Sequence, residues 1–164
     1  MSGRPDATGR TPRRRLVLAS SSPSRLSVLR SAGVEPLVVV PGTDEDAAVA
    51  ALRATTPDPT PADIVTRLAR AKATAVARML REGTAGVQAP ADAVILAGDS
   101  MLLIDGELQG KPHTEEATVD RWRHQRGRTA ELVTGHCVIV RPERGGVHQR
   151  VQPHLCPTAD LAAG

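Results

Sequence analysis

Apolar positions along the 164-residue chain fall into short runs separated by Gly-, Pro- and Ser-rich breaks. Residues 16–19, Leu-Val-Leu-Ala, form a run of buried-strand type, broken by Ser20-Ser21-Ser22-Pro23. A helix is predicted over 24–32, with Leu26 and Leu29 facing inward at i, i+3 and Gly33 as its stop. A second strand is predicted over 37–40, ended by Pro41-Gly42 and followed by the acidic triplet Asp44, Glu45, Asp46. Residues 54–60 read as a Thr/Pro/Asp linker. The clearest helix runs from Thr60, a cap, through Pro61 in the first turn to about Arg81, before Gly83. Apolar runs at 93–97 and 101–104 predict strands, with Asp99 between them and Asp105-Gly106 as a hairpin turn. Thr114 caps a further helix ending near Gly127, and Leu132, Val133 and residues 137–140 predict a final strand pair. Strands alternating with helices predict an α/β domain over 15–140. Residues 1–14 read as a disordered basic arm, and 141–164, without either period, as an unstructured tail.

Composition sharpens this picture in two ways. Trp122 is the only aromatic residue, so the core must be built from Leu, Ile, Val, Ala and Met. Of the 21 basic residues only Lys72 and Lys111 are lysine. An individual Arg therefore says little in this chain, and a Lys stands out. The net charge of +3 includes a basic N-terminal arm with no aromatic side chain for base stacking, so no specific nucleic-acid partner is expected. No stretch approaches membrane-spanning length, and Cys137 and Cys156 form no C-x-x-C pair. A cytoplasmic protein is the expectation.

The candidate chemistry starts from Lys72. On a helical wheel Ile64, Val65, Leu68, Ala75, Val76 and Met79 define an apolar arc that contains Lys72, while Arg67, Arg70, Arg78 and Arg81 lie opposite. A lysine in an apolar face calls for an anion in a cleft, an internal ion pair or a snorkelling stem. Lys111 in Gly110-Lys111-Pro112 reads either as a phosphate contact or as an exposed loop lysine. Ser20, Ser22, Ser24 and Arg25 join a strand end to a helix start, where N–H groups suit phosphate; an ordinary Ser-rich cap is the alternative. Asp99 and Glu45 are the candidate acids. Mg²⁺ is satisfied by one or two carboxylates plus substrate phosphates, which matches so sparse a set. A solvated acidic loop is the other reading of Glu45. His148, His154 and Cys156 match no zinc spacing.

The order of these segments carries more than any one of them. LVLASSSPSRLSVLRSAGV, DED, ARAKA, AGDSMLLIDGELQGKP and GRTAELVTGHCVIV, over about residues 15–140, resemble the Maf family of nucleoside triphosphate pyrophosphatases, also described as septum-formation inhibitors. The resemblance implies a mixed α/β sheet with flanking helices and a cleft between two lobes. It implies hydrolysis of a nucleoside triphosphate to the monophosphate and pyrophosphate with a divalent cation, Mg²⁺ or Mn²⁺, and with it the house-cleaning of non-standard nucleotides. It assigns Asp99 as proton acceptor, Lys72 and Lys111 as catalytic lysines and Glu45 as an acid sharing the metal with Asp99. Ser20, Ser22 and Arg25 match its phosphate loop. Ser24 and Ser100 stand where many members have Arg and Thr, at positions linked to base preference. A nucleoside triphosphate is thus the expected partner, with a homodimer left open.

The family's later strands, helix and D-K-A-G-x-Y-x-x-Q-G stretch have no counterpart after residue 140. A frameshift or early stop is the explanation preferred on sequence, with the C-terminal part of the fold missing. The competing functions are a non-catalytic nucleotide-binding or division-regulating protein and an inactive fragment.

Overall fold

The computed structural model describes residues 14–112 and 114–140, and the backbone of 148–160. Ten elements follow one another: β1 (Leu16–Ala19), α1 (Pro23–Ser31), β2 (Leu37–Val39), α2 (Glu45–Thr55), α3 (Pro61–Glu82), β3 (Val94–Ile104), β4 (Glu107–Gln109), α4 (Glu115–Gln125), β5 (Thr129–Val140) and β6 (His148–Asp160). The strands form one mixed sheet in the order β2-β1-β3-β5-β6, with β4 paired to β3. The architecture is the α/β class expected, a central mixed sheet with flanking helices.

Two halves of the sheet obey different rules. β1 runs parallel to both β2 and β3, and α1 and the α2–α3 pair supply the crossovers that parallel strands require. β3 pairs antiparallel with β4 and with β5, and β5 with β6. From β1 the chain goes to β2 on one side and then returns to β3 on the other, which makes the carboxyl end of β1, beside the middle of β3, a topological switch point. Ala19 pairs with Ala97 at the last β1–β3 register position. Ser20 therefore leaves the sheet beside the middle of β3, the stretch that carries Asp99.

α3 is the helix that packs on this sheet. Thr60 and Asp63 form a reciprocal capping box, with Thr60 N–H donating to Asp63 Oδ2 at 2.9 Å and Asp63 N–H donating to Thr60 Oγ1 at 3.2 Å. Gly83, with φ of 73°, ends the helix in the left-handed conformation. Ala69, Ala73 and Val76 pack with Val17, Ala19, Val39, Ile95, Ala97, Cys137 and Ile139 in an aliphatic core. The small side chains let helix and sheet come close. At Gly135 a Cβ would lie 2.5 Å from the Val65 carbonyl carbon and 2.6 Å from Thr66 N, so backbone touches backbone there.

Several expectations need correction. Residues 45–55 form α2, not a loop and linker: Asp44 caps it by accepting from Ala47 N–H at 2.9 Å, and its alanine-rich sequence favours helix without any buried face to show periodicity. The two apolar runs around Asp99 belong to one strand, β3, as do those of β5. Leu26 and Leu29 are only half-buried, and α1 has no buried residue. Residues 148–160, expected to be an unstructured tail, pair with β5 along its length, because an exposed strand edge offers backbone hydrogen bonds to a segment without apolar alternation. The arm over 1–13 and the side chains of His148, His154 and Cys156 lie outside the described residues. Among the described residues no helix is long and apolar enough to cross a membrane.

Candidate active site

The middle of β3, the first turn of α2 and the middle of α3 converge at Lys72. Its ammonium donates to Asp99 Oδ1 at 2.5 Å and meets Glu45 Oε1 at 2.8 Å. The Lys72 and Asp99 side chains are 14% and 11% exposed, whereas Glu45 is 53% exposed. Lys72 reaches this position because it shares a helical face with the buried Val65, Leu68, Ala69 and Val76. Ala69 and Ala73 join the buried face, while Ala75 and Met79 are only partly buried. Of the readings open for this lysine, the ion pair is what the structure shows.

The electrostatics follow from that geometry. Burial is the largest single influence on Lys72 and lowers its pKa, but the hydrogen bonds and charges of Asp99 and Glu45 together outweigh it. The net shift is upward, so the side chain stays an ammonium at neutral pH and cannot act as a base. Two carboxylates against one ammonium leave one negative charge uncompensated. Such an all-oxygen pair suits a hard divalent cation that takes its remaining ligands from phosphate and water. Among the described residues no group of three or more His, Cys, Asp or Glu is placed to hold a metal ion, and this site offers two carboxylates. The residues present therefore fit Mg²⁺ or Mn²⁺ bound partly through its substrate.

A second group of polar side chains stands beside this trio. Ser20 and Ser22 are buried at the β1–α1 junction, and Ser22 N–H donates to Ser20 Oγ at 3.1 Å. Ser22 is the N-cap residue of α1, yet its hydroxyl makes no capping bond and pairs with Ser24 Oγ at 2.9 Å. Arg25 donates to Ser20 Oγ at 3.3 Å and to Ser100 Oγ at 3.0 Å. It crosses from α1 to β3 over Gly98, where a Cβ would come within 3.3 Å of Arg25 Nε. The structure thus joins Ser20, Arg25 and Ser100 in one network, with Ser22 and Ser24 attached.

Lys111 stands apart. It is exposed in the segment after β4 and has no ion-pair partner among the described residues. Its neighbour Gly110 lies beside Met101, where a Cβ would meet Met101 Cε at 3.3 Å, and Arg121 of α4 donates to the Gly110 carbonyl. The loop carrying Lys111 is therefore anchored one residue from it, although the lysine does not touch the trio. Thr134 was not recognisable as a site residue from sequence. It bonds Ser100 Oγ at 2.9 Å because the β3–β5 register sets the two opposite each other. Only the pairing of two strands 34 positions apart could have revealed it.

Comparisons with known proteins show the family and the fold. Residues 15–159 match the family model described as Maf-like protein, which extends past the 15–140 read from sequence. A protein of Corynebacterium efficiens named nucleoside triphosphate pyrophosphatase is 50% identical over 145 residues, covering 88% of this chain and 66% of the relative. Proteins with the same name from Corynebacterium diphtheriae and Nocardia farcinica are each 56% identical, over 76% of this chain and 56% and 54% of their own lengths. The chain thus spans between half and two thirds of these curated relatives. The solved Ham1 protein of Staphylococcus aureus aligns over 92% of this chain and 73% of its own, with a TM-score of 0.50 and 16% identity, a likeness of fold.

Proposed function

The chain belongs to the Maf-like family, and from that premise we propose that it hydrolyses nucleoside triphosphates to monophosphate and pyrophosphate. The observation that carries this reading is the Lys72–Asp99–Glu45 cluster at the switch point, set beside the Arg25–Ser20–Ser100 network. A buried carboxylate, a fixed ammonium and a guanidinium on hydroxyl partners form a site for a polyanion that needs water activated next to it.

In this mechanism Arg25 and the hydroxyls of Ser20, Ser22 and Ser24 receive phosphate oxygens at the start of α1, where the helix dipole adds a positive field. Lys111 approaches the phosphates from its anchored loop. Water attacks the α-phosphorus, the bond from that phosphorus to the α–β bridging oxygen breaks, and pyrophosphate leaves with that oxygen. The Asp99 carboxylate accepts the proton that the water loses. Lys72 stays protonated, holds Asp99 and Glu45 in place and offsets charge building on the leaving group. A divalent cation held by Asp99 and Glu45, Mg²⁺ or Mn²⁺, would add Lewis-acid neutralisation of the phosphates and the attacking water. Ser100, tied to Arg25 and Thr134, lies where the family sets base preference. A reduced, cytoplasmic setting suits the buried Cys137 thiol.

The test is pyrophosphate release from a panel of standard and modified nucleoside triphosphates, with Mg²⁺ or Mn²⁺ and with chelator. Metal-dependent release with stoichiometric monophosphate is the expected result. Nucleotide binding without release would favour a non-catalytic nucleotide-binding protein instead.

A further inference from the structure

A second basic cleft lies on the far side of α3 from Lys72. It has a volume of about 360 Å³ and is lined by Gly42 and Thr43 of the β2–α2 loop and by Arg67, Arg70, Thr74 and Arg78 of α3, among others. The four helix residues recur at intervals of three and four, so they form one stripe along the helix. At 100° per residue that stripe is rotated by roughly 120° or more from Lys72. The cleft is therefore not another view of the catalytic cluster.

Two of its polar atoms make it a built site and not merely a charged surface. Arg67 Nε and Thr43 Oγ1 are buried and have no hydrogen-bond partner among the described residues. A buried donor without an acceptor is destabilising, more so when it is charged. Thr43 and Arg67 are among the residues that line the cleft, and no carboxylate is. An oxyanion seated between Thr43 and Arg67 would supply the missing acceptor and would also meet the Arg78 guanidinium on the same stripe.

We propose that this cleft binds a small phosphate anion, inorganic phosphate or pyrophosphate, at a site separate from the Lys72 cluster. Its size suits one such anion more than a nucleic-acid backbone.

The experiment is calorimetric titration of the full chain with phosphate and with pyrophosphate, separately, in low-chloride buffer. Lys72→Ala should retain binding at the cleft. Arg67→Gln combined with Arg78→Gln should weaken it at least tenfold, and Thr43→Val several-fold. Tighter binding of phosphate would assign the ligand to the free ion, and tighter binding of pyrophosphate to a nucleotide-derived product. Should the double variant fail a circular-dichroism melt, Thr43→Val and Arg78→Gln alone decide the matter. Binding abolished by Lys72→Ala but unchanged in the cleft variants would overturn the proposal. So would the absence of heat from either anion, or Arg67-dependent binding of a short oligonucleotide tighter than both.

Discussion

Replacing Lys72 with Met separates its structural role from its proposed chemical one. The substitution keeps a long stem in the apolar face of α3 and removes the ammonium. The contact to Asp99 is 2.5 Å long and nearly buried, so its loss costs about 1.5–3 kcal/mol, the range for hydrogen bonds to charged groups. Glu45 is 53% exposed, and solvent screening holds its share to about 0–1 kcal/mol. Relief of the lysine's own desolvation offsets part of both. A net stability loss of about 1–3 kcal/mol is expected, measured by urea unfolding at neutral pH. Because the folded pKa of Lys72 is raised, this contribution is complete below its ordinary value of 10.5 and is lost as pH rises through the folded value. The gap between wild type and variant should stay flat from neutral pH and close only in that alkaline window. Pyrophosphate release per folded molecule, measured well below the melting temperature, should fall by about 10²–10³, as for removal of one preorganised charge-stabilising group. Unchanged turnover alongside the stability loss would show that Lys72 is only a structural ion pair.

Other positions test the scaffold around it. Gly135→Ala forces a Cβ to within 2.6 Å of α3 backbone that cannot rotate away, so unfolding experiments should show a loss of about 1–3 kcal/mol. Gly98→Ala meets the Arg25 side chain at 3.3 Å and has only ordinary contacts with His136 Cδ2 at 3.4 Å and the Gly135 carbonyl at 3.5 Å; its melting temperature should hardly move, while KM for the nucleotide should rise as Arg25 leaves Ser100. Asp63→Asn weakens the α3 capping box and should cost about 0.5–1 kcal/mol. The hydrogen bond from the Thr60 hydroxyl, with that from its backbone N–H, holds the Asp63 carboxyl below its ordinary 3.8. Its contribution is therefore present above 3.8 and is lost as pH falls through the lowered folded value, which acid titration of the two proteins would show.

Local signals carried the site further than they carried the fold. α3 announced itself through its Thr60 cap, its Pro61 start and a long apolar stripe, and that stripe placed Lys72 on the correct face. Asp99 stands out for its place after an apolar run, and it lies within β3. α2 escaped because its alanines bury nothing and so leave no periodic trace, which made Glu45 look like a loop residue when it opens a helix. β6 escaped because edge pairing uses backbone groups common to every residue. Thr134 and Gly135 depend on the register between β3 and β5, and the close approach at Gly135 depends on α3 as well. Such long-range pairings cannot be read from spacing along the chain. The proposed phosphate role of Lys111 rests on the family resemblance alone, and this lysine makes no contact with the cluster.

The central claim is that Asp99 is the proton acceptor of a pyrophosphatase site, and Asp99→Asn tests it most directly. The amide keeps the shape and can still accept from Lys72, so a cooperative melt close to that of wild type is expected. Pyrophosphate release by the wild-type chain with Mg²⁺ or Mn²⁺, reduced at least 100-fold in the variant, roughly 2.7 kcal/mol in the barrier, is the predicted result. A folded Asp99→Asn protein that releases pyrophosphate at the wild-type rate would contradict it.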